Sequence, residues 1–429
     1  MFKHFYITFK ENSSGTQVSL RKIKYKYKQT GHAKNEINRV FAVVVVLFCA
    51  ISLVCFAFLS PGWAEEPEKT KFTIKPRISV GSRLDSNFFL TENDERAVYS
   101  FLIQPGFGLG VEKPKLKVSL DYTAEIYFYS DMDDVASGQQ RADDLNYFGH
   151  LAALKTKYAF TPRMMLSLND SFYYTRYPTV YDRLSNSTDK RRYWTNRVTP
   201  AIHYDLGNRF SADIMYRYDK LKYIESDYED STEHRISFDL LYHSTRTTTY
   251  GLDYQHWTRI YEEYEEGFSD YSSHQARLDF QKRYKYFTFN GNAGYQHRSH
   301  NDPSLADENV FVYKISFAGE YPPPPKTERP MGGVPERAKS HIYLAAEQNL
   351  NAIGDDYVSN RFTLSMGHVF LRKILTLVRG YYQMSDYETY QGITPDGNYA
   401  IRDDSSYDVY GRIGYLITKK VTASITAGK

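Results

Sequence analysis

Hydrophobic and polar side chains alternate along residues 115–130, whose sequence is KLKVSLDYTAEIYFYS. One set of alternate positions is apolar, from Leu116 to Phe128, and the other is mostly polar, from Lys117 to Tyr129. A β-strand sends successive side chains to opposite sides, so this pattern predicts a strand with one apolar face and one wet face. Such a strand suits a transmembrane β-barrel, and taken alone it also suits a soluble β-sandwich.

The same alternation recurs in strand-length segments through the rest of the chain, and we predict about seventeen strands. Their approximate spans are 72–83, 97–112, 115–130, 144–160, 163–177, 191–205, 208–225, 232–245, 247–261, 270–284, 286–299, 308–321, 340–352, 357–371, 374–389, 405–417 and 420–428. No window shows a sustained helical period, so the mature chain is predicted to be all-β.

The lengths of the connections distinguish the barrel from the sandwich. Short connections, such as residues 161–162 and 206–208, alternate with long ones, such as residues 131–143 and 178–191. Outer-membrane barrels have tight turns at the periplasmic end and longer loops at the external end. The sequence therefore predicts a transmembrane antiparallel up-and-down β-barrel of about 16–18 strands in the outer membrane of a Gram-negative bacterium.

The predicted strand count is odd, whereas single-chain bacterial barrels use an even number of strands. The last predicted segment ends close to Lys429 and lacks an aromatic carboxy-terminal residue. Two explanations remain open. Either the closing strand is missing from this chain, or the count is wrong by one.

Two different segments precede the predicted barrel. Residues 1–39 are polar and basic and are predicted to be a disordered leader, and residues 40–64 contain a long uncharged run that ends in Gly62, Trp63 and Ala64. This order predicts a secretory signal peptide cleaved between Ala64 and Glu65. The alternative is an uncleaved transmembrane anchor, because about 20 apolar residues can span a bilayer. Residues 65–71 are a short linker, and residues 72–429 form the predicted barrel.

The composition agrees with a barrel whose inner wall is polar. Tyrosine accounts for 40 of the 429 residues and all aromatic residues for 16%, whereas the mean hydropathy is −0.57. Aromatic residues collect at membrane interfaces, while polar lumen residues lower the mean hydropathy. The net charge of +3 arises from 54 basic and 51 acidic residues. Because there is no large excess of basic charge, the sequence does not favour nucleic-acid binding.

The polar positions of the predicted strands are the candidate lumen-facing residues. They are Lys117, Asp121, Glu125, Tyr127, Tyr129, Asp213, Arg217, Arg277, Asp279 and Arg361. Opposite charges on neighbouring strands usually pair and brace the wall, so pairing is the structural alternative for most of them. For Tyr127 and Tyr129, the alternatives are stacking on sugar rings and a place in the interfacial aromatic belt.

No motif indicates catalysis or a bound cofactor. Gly106, Gly108 and Gly110 lie in the middle of a predicted strand, where they are packing or curvature glycines and not a phosphate loop. His297 and His300 belong to no complete set of metal ligands. No nucleophile elbow is present. We therefore predict that the protein is not an enzyme and that it needs neither a cofactor nor a metal.

Four short segments resemble a known family. Residues Ile74–Pro76, Asp85–Phe89, Gln104–Gly106 and Leu120–Tyr122 are similar to the opening of an outer-membrane β-barrel porin family associated with exopolysaccharide biosynthesis and export. The resemblance implies a barrel that takes part in exopolysaccharide export or surface polysaccharide assembly. It also implies polysaccharide and periplasmic export proteins as partners, besides the lipids of the outer membrane. The odd strand count departs from the family pattern.

Three functions follow as hypotheses. The first is a passive channel or accessory barrel for exopolysaccharide, and the second is a general diffusion porin for small solutes. The third is a structural or adhesive surface barrel whose external loops bind partners and whose lumen conducts nothing. The sequence leaves open whether the lumen is open, which substrate passes and which oligomeric state forms.

Overall fold

The structure is a computed structural model, and it describes residues 5–10, 17–22, 70–86, 88–89, 96–136, 138–176, 192–224, 230–262, 269–303, 305–322, 339–353, 355–393, 399–417 and 422–428. The chain divides into two units, residues 1–68 and 69–429. In the first unit, strand β1 (Phe5–Lys10) pairs antiparallel with β2 (Gln17–Lys22). The predicted disorder of the leader therefore differs from this hairpin, whose strands alternate aromatic or β-branched residues with polar ones. The predicted signal peptide and its cleavage site, Ala64–Glu65, lie outside the described residues.

The second unit is one antiparallel sheet of seventeen strands. They are β3 (Lys71–Asp85), β4 (Val98–Glu112), β5 (Leu116–Asp131), β6 (Tyr147–Thr161), β7 (Met164–Thr175), β8 (Tyr193–Asp205), β9 (Phe210–Tyr223), β10 (Ser231–Thr245), β11 (Thr248–Tyr261), β12 (Tyr271–Arg283), β13 (Phe287–His300), β14 (Glu308–Tyr321), β15 (Ser340–Ile353), β16 (Asp355–Phe370), β17 (Ile374–Ile393), β18 (Tyr399–Leu416) and β19 (Thr422–Gly428). This confirms the predicted fold class and the predicted number of strands.

Each strand pairs with the next one along the chain, so the topology is up-and-down. In the cyclic order of the sheet, β19 neighbours β3. Every other junction is an antiparallel ladder with a defined residue register, but the described residues form no such ladder between β19 and β3. With an odd number of up-and-down strands, β3 and β19 run in the same direction, so a ladder between them would have to be parallel. Most side chains of β3 are correspondingly exposed on both of its faces.

Short and long connections alternate as predicted, with two exceptions that the sequence also indicates. Residues 322–339 form a long connection at the end with the short turns, and residue 354 alone connects β15 to β16 at the other end. Residues 113–115, 162–163, 246–247 and 371–373 turn at one end of the sheet, and residues 86–97, 132–146 and 176–192 connect strands at the other end. One predicted long connection, residues 389–404, is shorter than expected. Strands β17 and β18 continue into it, with Gln391 opposite Ile401, because its aromatic and β-branched residues can extend the ladder.

No helix among the described residues is both long and apolar enough to cross a membrane. The described residues contain a single short helix, a 3₁₀ turn at Asp143–Leu145 in the connection between β5 and β6. The described unit thus consists of strands and the connections between them, and its functional groups lie on the two faces of one sheet.

Candidate functional site

The two faces of the sheet carry opposite kinds of side chain. On β9 and β10, the side chains of Ile214 (46% exposed), Ile236 and Phe238 lie on one side and are open, while Asp219 and Glu233 lie on the other and are 0% and 2% exposed. We call these sides the apolar face and the polar face. A soluble protein buries its apolar side chains, whereas a membrane barrel turns them outward to lipid and keeps polar ones inside. The chain is therefore an outer-membrane β-barrel.

Arginine and carboxylate side chains alternate across the polar face of β8–β10. We call this group the arginine ladder, and its members are Arg197, Asp219, Arg217, Glu233 and Arg235. Asp219 accepts from the Nε atom of Arg197, and its other carboxylate oxygen, Oδ2, lies 2.8 Å from the Nε atom of Arg217. Glu233 pairs with Arg217 and, at 3.1 Å, with Arg235. The Arg235 guanidinium also lies 4.1 Å from the centre of the Trp257 ring. These contacts hold five side chains in one place, as expected for charges that brace a wall.

Three aspartates face each other across neighbouring strands of the same face. Asp239 on β10 lies directly opposite Asp213 on β9 and directly opposite Asp253 on β11. We call Asp213, Asp239 and Asp253 the acidic row. The outer members have other partners, since His203 Nδ1 lies 2.6 Å from Asp213 and Arg277 Nη2 lies 2.9 Å from Asp253. Asp239 has a carboxylate on each side. No described group of three or more His, Cys, Asp or Glu side chains could hold a metal ion.

The buried side chain of Arg298 connects strands that are not neighbours in the sheet. Arg298 on β13 is 2% exposed, and its Nη1 lies 2.6 Å from Asp356 Oδ1 on β16. The same guanidinium donates to the backbone oxygens of Leu350 and Asn351 on β15. His300 Nε2 lies 3.1 Å from the other oxygen of Asp356. Arg298 therefore joins three strands at the end of the sheet where the long connections lie.

Two long connections fold onto the polar face at that end. Phe88, from residues 86–97, packs against Tyr129 with ring centres 5.0 Å apart. Ala142 and Leu145, from residues 132–146, join the same buried cluster with Tyr147. Val98 completes this cluster, and we call its six residues the mouth cluster: Phe88, Val98, Tyr129, Ala142, Leu145 and Tyr147. Hydrophobic burial thus draws both connections over the inner side of β4–β6.

Arg96 ties the two connections together. Its side chain lies 3.5 Å from Asp131 Oδ1, donates to the backbone oxygen of Gln140 at 2.6 Å and covers the Phe89 ring at 3.9 Å. Asp131 in turn accepts from the backbone N–H of Ala142 at 2.7 Å. Outside this core, the hydrogen bond from Arg141 lowers the pKa of the exposed Asp143 carboxyl. Arg96 is 8% exposed, so its charge is desolvated and depends on these partners.

A cavity of about 330 Å³ lies beneath the mouth cluster on the polar face of β3–β5. We call it the mouth cavity. Its lining includes Gly81 and Arg83 from β3, Gln104 from β4, and Glu125, Tyr127 and Tyr129 from β5. The Tyr127 ring stacks near Tyr129 (5.6 Å) and Tyr147 (4.9 Å). Gln104 donates to Glu125 Oε1 at 2.8 Å. The cavity combines a carboxylate, an amide and flat aromatic rings.

Each predicted lumen residue can be placed by its contacts. Lys117 pairs with Glu112, Asp121 with Arg77, Glu125 with Gln104, Arg277 with Asp253 and Arg361 with Gln383, and Asp279 lies opposite Asn292. Asp213 and Arg217 belong to the acidic row and the arginine ladder, and Tyr127 and Tyr129 to the mouth. The structure brings together only Glu125, Tyr127 and Tyr129. Their role in the lumen remains a prediction.

Several residues of the site were not predicted. Arg96 lies in a connection without periodicity, so no pattern pointed to it. Phe88 belongs to a segment that carries the family resemblance, but the resemblance gave it no role. Gln104 and Arg298 occupy polar positions of alternating strands, where the period indicated their face but not their partners. Gly81 borders the cavity, and a Cβ added there would meet no atom within 4 Å.

Among the comparisons with known proteins, only the comparison with solved structures finds similar proteins. No protein-family model matches the chain, and no curated protein matches it. Pseudomonas aeruginosa OccK5 (OpdH) has 10% identity and a TM-score of 0.38, with 83% of this chain and 91% of that chain covered. Acinetobacter baumannii OccAB3 has 10% identity and a TM-score of 0.37, covering 85% and 100%. The anion-selective porin from Comamonas acidovorans has 9% identity and a TM-score of 0.38, covering 84% and 100%. Because these TM-scores are low, the assignment as a porin-like barrel rests on this chain's own strand order, register and surface.

Proposed function

We propose that this protein is a passive channel through which small hydrophilic solutes diffuse across the outer membrane, with membrane lipids against its apolar face. The observation that carries the proposal is the polar face, where charged side chains extend from β8 to β11 in the arginine ladder and the acidic row. A barrel of sixteen to eighteen strands ordinarily leaves an aqueous channel unless something fills it. Buried charges on the inner wall are the expected lining of such a channel.

The mixture of charges favours a general porin over a channel for one class of ion. The arginine ladder contains three arginines and two carboxylates, whereas the acidic row lies about four residues further along β10, or roughly 13 Å away. A solute would therefore pass regions of both signs. Strong selectivity would need a lumen dominated by one sign.

Exopolysaccharide passage is the second candidate. The stacked rings of Tyr127, Tyr129 and Tyr147 support it, because aromatic rings can pack against sugars, and so does the resemblance of the first three barrel strands. Polysaccharide and periplasmic export proteins would then be partners. A structural or adhesive barrel without conduction is the third candidate, and it would use the long external connections.

Conductance across a planar bilayer tests these candidates. The barrel, refolded and inserted, should give stepwise ionic currents that added polysaccharide leaves unchanged, because small ions and not polymer are the proposed solutes. The control is the same protein unfolded by heat before addition. Blockade by polymer, weakened in Asp121→Asn and Glu125→Gln, would favour the polysaccharide candidate. Absence of current would contradict both channels and favour a structural barrel.

A further inference from the structure

Glu125 differs from the other buried carboxylates of the polar face. Four of those contact an arginine, namely Asp219, Glu233, Asp253 and Asp356. Glu125 is 2% exposed, its Oε1 accepts from Gln104, and its Oε2 has no hydrogen-bond partner among the described residues. A buried carboxylate without a cation is costly, because neither water nor a countercharge compensates it.

The mouth cavity lies against this carboxylate. It is lined on one side by Glu125 and Gln104 and on the other by the rings of Phe88 and Tyr129. Arg83 also borders the space, and it lies 3.1 Å from Asp85. The carboxylates of Glu125 and Asp85 leave an excess of negative charge over the single arginine at the lining. Aromatic faces attract cations through their negative quadrupole, so the rings add to the same preference.

The open space at Gly81 shows that the cavity can accept a side-chain-sized group. A Cβ built on Gly81 meets nothing within 4 Å, and Gly81 lies opposite Leu102 at the cavity wall. The cavity of about 330 Å³ falls within the usual range for small-molecule pockets. A ligand with an apolar body and one charged end would fit such a lining.

We propose that the mouth cavity binds a small organic ammonium ion, with its charged nitrogen toward Glu125 and its apolar body between Phe88 and the stacked tyrosines. The ammonium supplies the countercharge that the described residues do not give to Glu125, and charge-assisted hydrogen bonds are the strong ones. A neutral sugar would occupy the rings and the amide, but it would leave the carboxylate charge uncompensated. The proposal adds a binding subsite to the channel and does not depend on conduction.

Calorimetric titration of the folded barrel in detergent tests the subsite. The probe is benzylammonium, the neutral isostere is benzyl alcohol, and maltose represents a saccharide. We expect saturable binding of benzylammonium and at least about tenfold weaker binding of benzyl alcohol, since the charged hydrogen bond is lost. Glu125→Gln should weaken benzylammonium binding by a similar factor.

Two glycine variants separate occupation of the cavity from general damage. Gly81→Leu places a side chain into the cavity without a clash at Cβ and should abolish binding. Gly411→Leu, on β18, also meets open space and should bind as the unchanged protein does. Equal affinity for benzyl alcohol or maltose, or binding that survives in Gly81→Leu, would overturn the proposal. Because no current is measured, either result leaves the conductance test of channel function independent.

Discussion

Neither side chain directly opposite Asp239 is basic. Asp239 lies between Asp213 and Asp253 across two antiparallel ladders, whereas the outer members of the acidic row contact His203 and Arg277. Like charges placed directly opposite each other on neighbouring strands are destabilising. A neutral or basic side chain at this position would stabilise the sheet more than an aspartate does.

Asp239→Asn is therefore expected to stabilise the barrel, by about 0.5–2 kcal/mol for two relieved pairs. The measurement is the midpoint of unfolding in guanidinium chloride for the barrel in lipid vesicles. Asp279→Asn is the matched control, because Asp279 lies opposite Gly251 and Asn292 and not opposite a carboxylate. A gain in Asp279→Asn as large as that in Asp239→Asn would show that cross-strand repulsion is not the cause.

Strand β4 shows how one element allows its two neighbours to interact. Arg77 on β3 is paired in register with Gly106, and Gly106 is paired with Thr123 on β5. Since Gly106 has no side chain, the Arg77 guanidinium crosses β4 and reaches Asp121 at 3.0 Å and Thr123 Oγ1 at 2.8 Å. A Cβ at Gly106 would lie 2.5 Å from the backbone oxygen of Tyr122. Gly106 is thus a packing glycine, which is one of the two roles that the sequence predicted for the glycines of this strand.

Gly106→Ala is expected to destabilise the barrel by about 1–3 kcal/mol, because the added methyl group overlaps backbone that cannot move freely. Urea or guanidinium unfolding in lipid vesicles measures the change. Gly110→Ala provides a control on the same strand and face, since its Cβ would make an ordinary contact of 3.5 Å with Thr73. If both variants lose the same stability, the close approach at Gly106 is not responsible.

The alternation of apolar and polar residues predicted the strands better than it predicted which side chains contact each other. The seventeen predicted spans coincide closely with β3–β19, because alternation sets the length and face of a strand directly. It placed Glu125 and Tyr127 on one face correctly. It could not reveal the mouth cavity, because that depends on Phe88 and Leu145 folding in from connections without a period. Long connections take their conformation from tertiary packing, which a local pattern does not contain.

At the scale of the whole barrel, the mouth cluster places described residues of two connections on the polar face of β4–β6. Arg96 joins these connections because it bridges Asp131, Gln140 and Phe89. Without that bridge, the two connections keep the apolar contacts of the mouth cluster but lose the charged and hydrogen-bonded contacts of Arg96. If the lumen of the proposed channel is open, these connections would narrow it on the side of β4–β6.

Arg96→Ala is accordingly expected to raise single-channel conductance and current noise in planar bilayers, since it frees both connections. Removing one partner also leaves Asp131 buried without its cation, so local order should fall. Arg141→Ala is the control, because Arg141 lies in the same connection but contacts exposed Asp143. Equal conductance in Arg96→Ala and the unchanged protein would mean that these connections do not restrict the passage.

The separation of an apolar and a polar face also favours the correct register between neighbouring strands during assembly. A slip of one residue between neighbouring strands turns every side chain to the opposite face. For β10, it would move Glu233, Arg235 and Asp239 toward lipid and Ile236 and Phe238 toward water. A single arginine at the bilayer midplane costs about 2–4 kcal/mol. The side chains that line the proposed channel would therefore also reject hairpins assembled in the wrong register before insertion is complete.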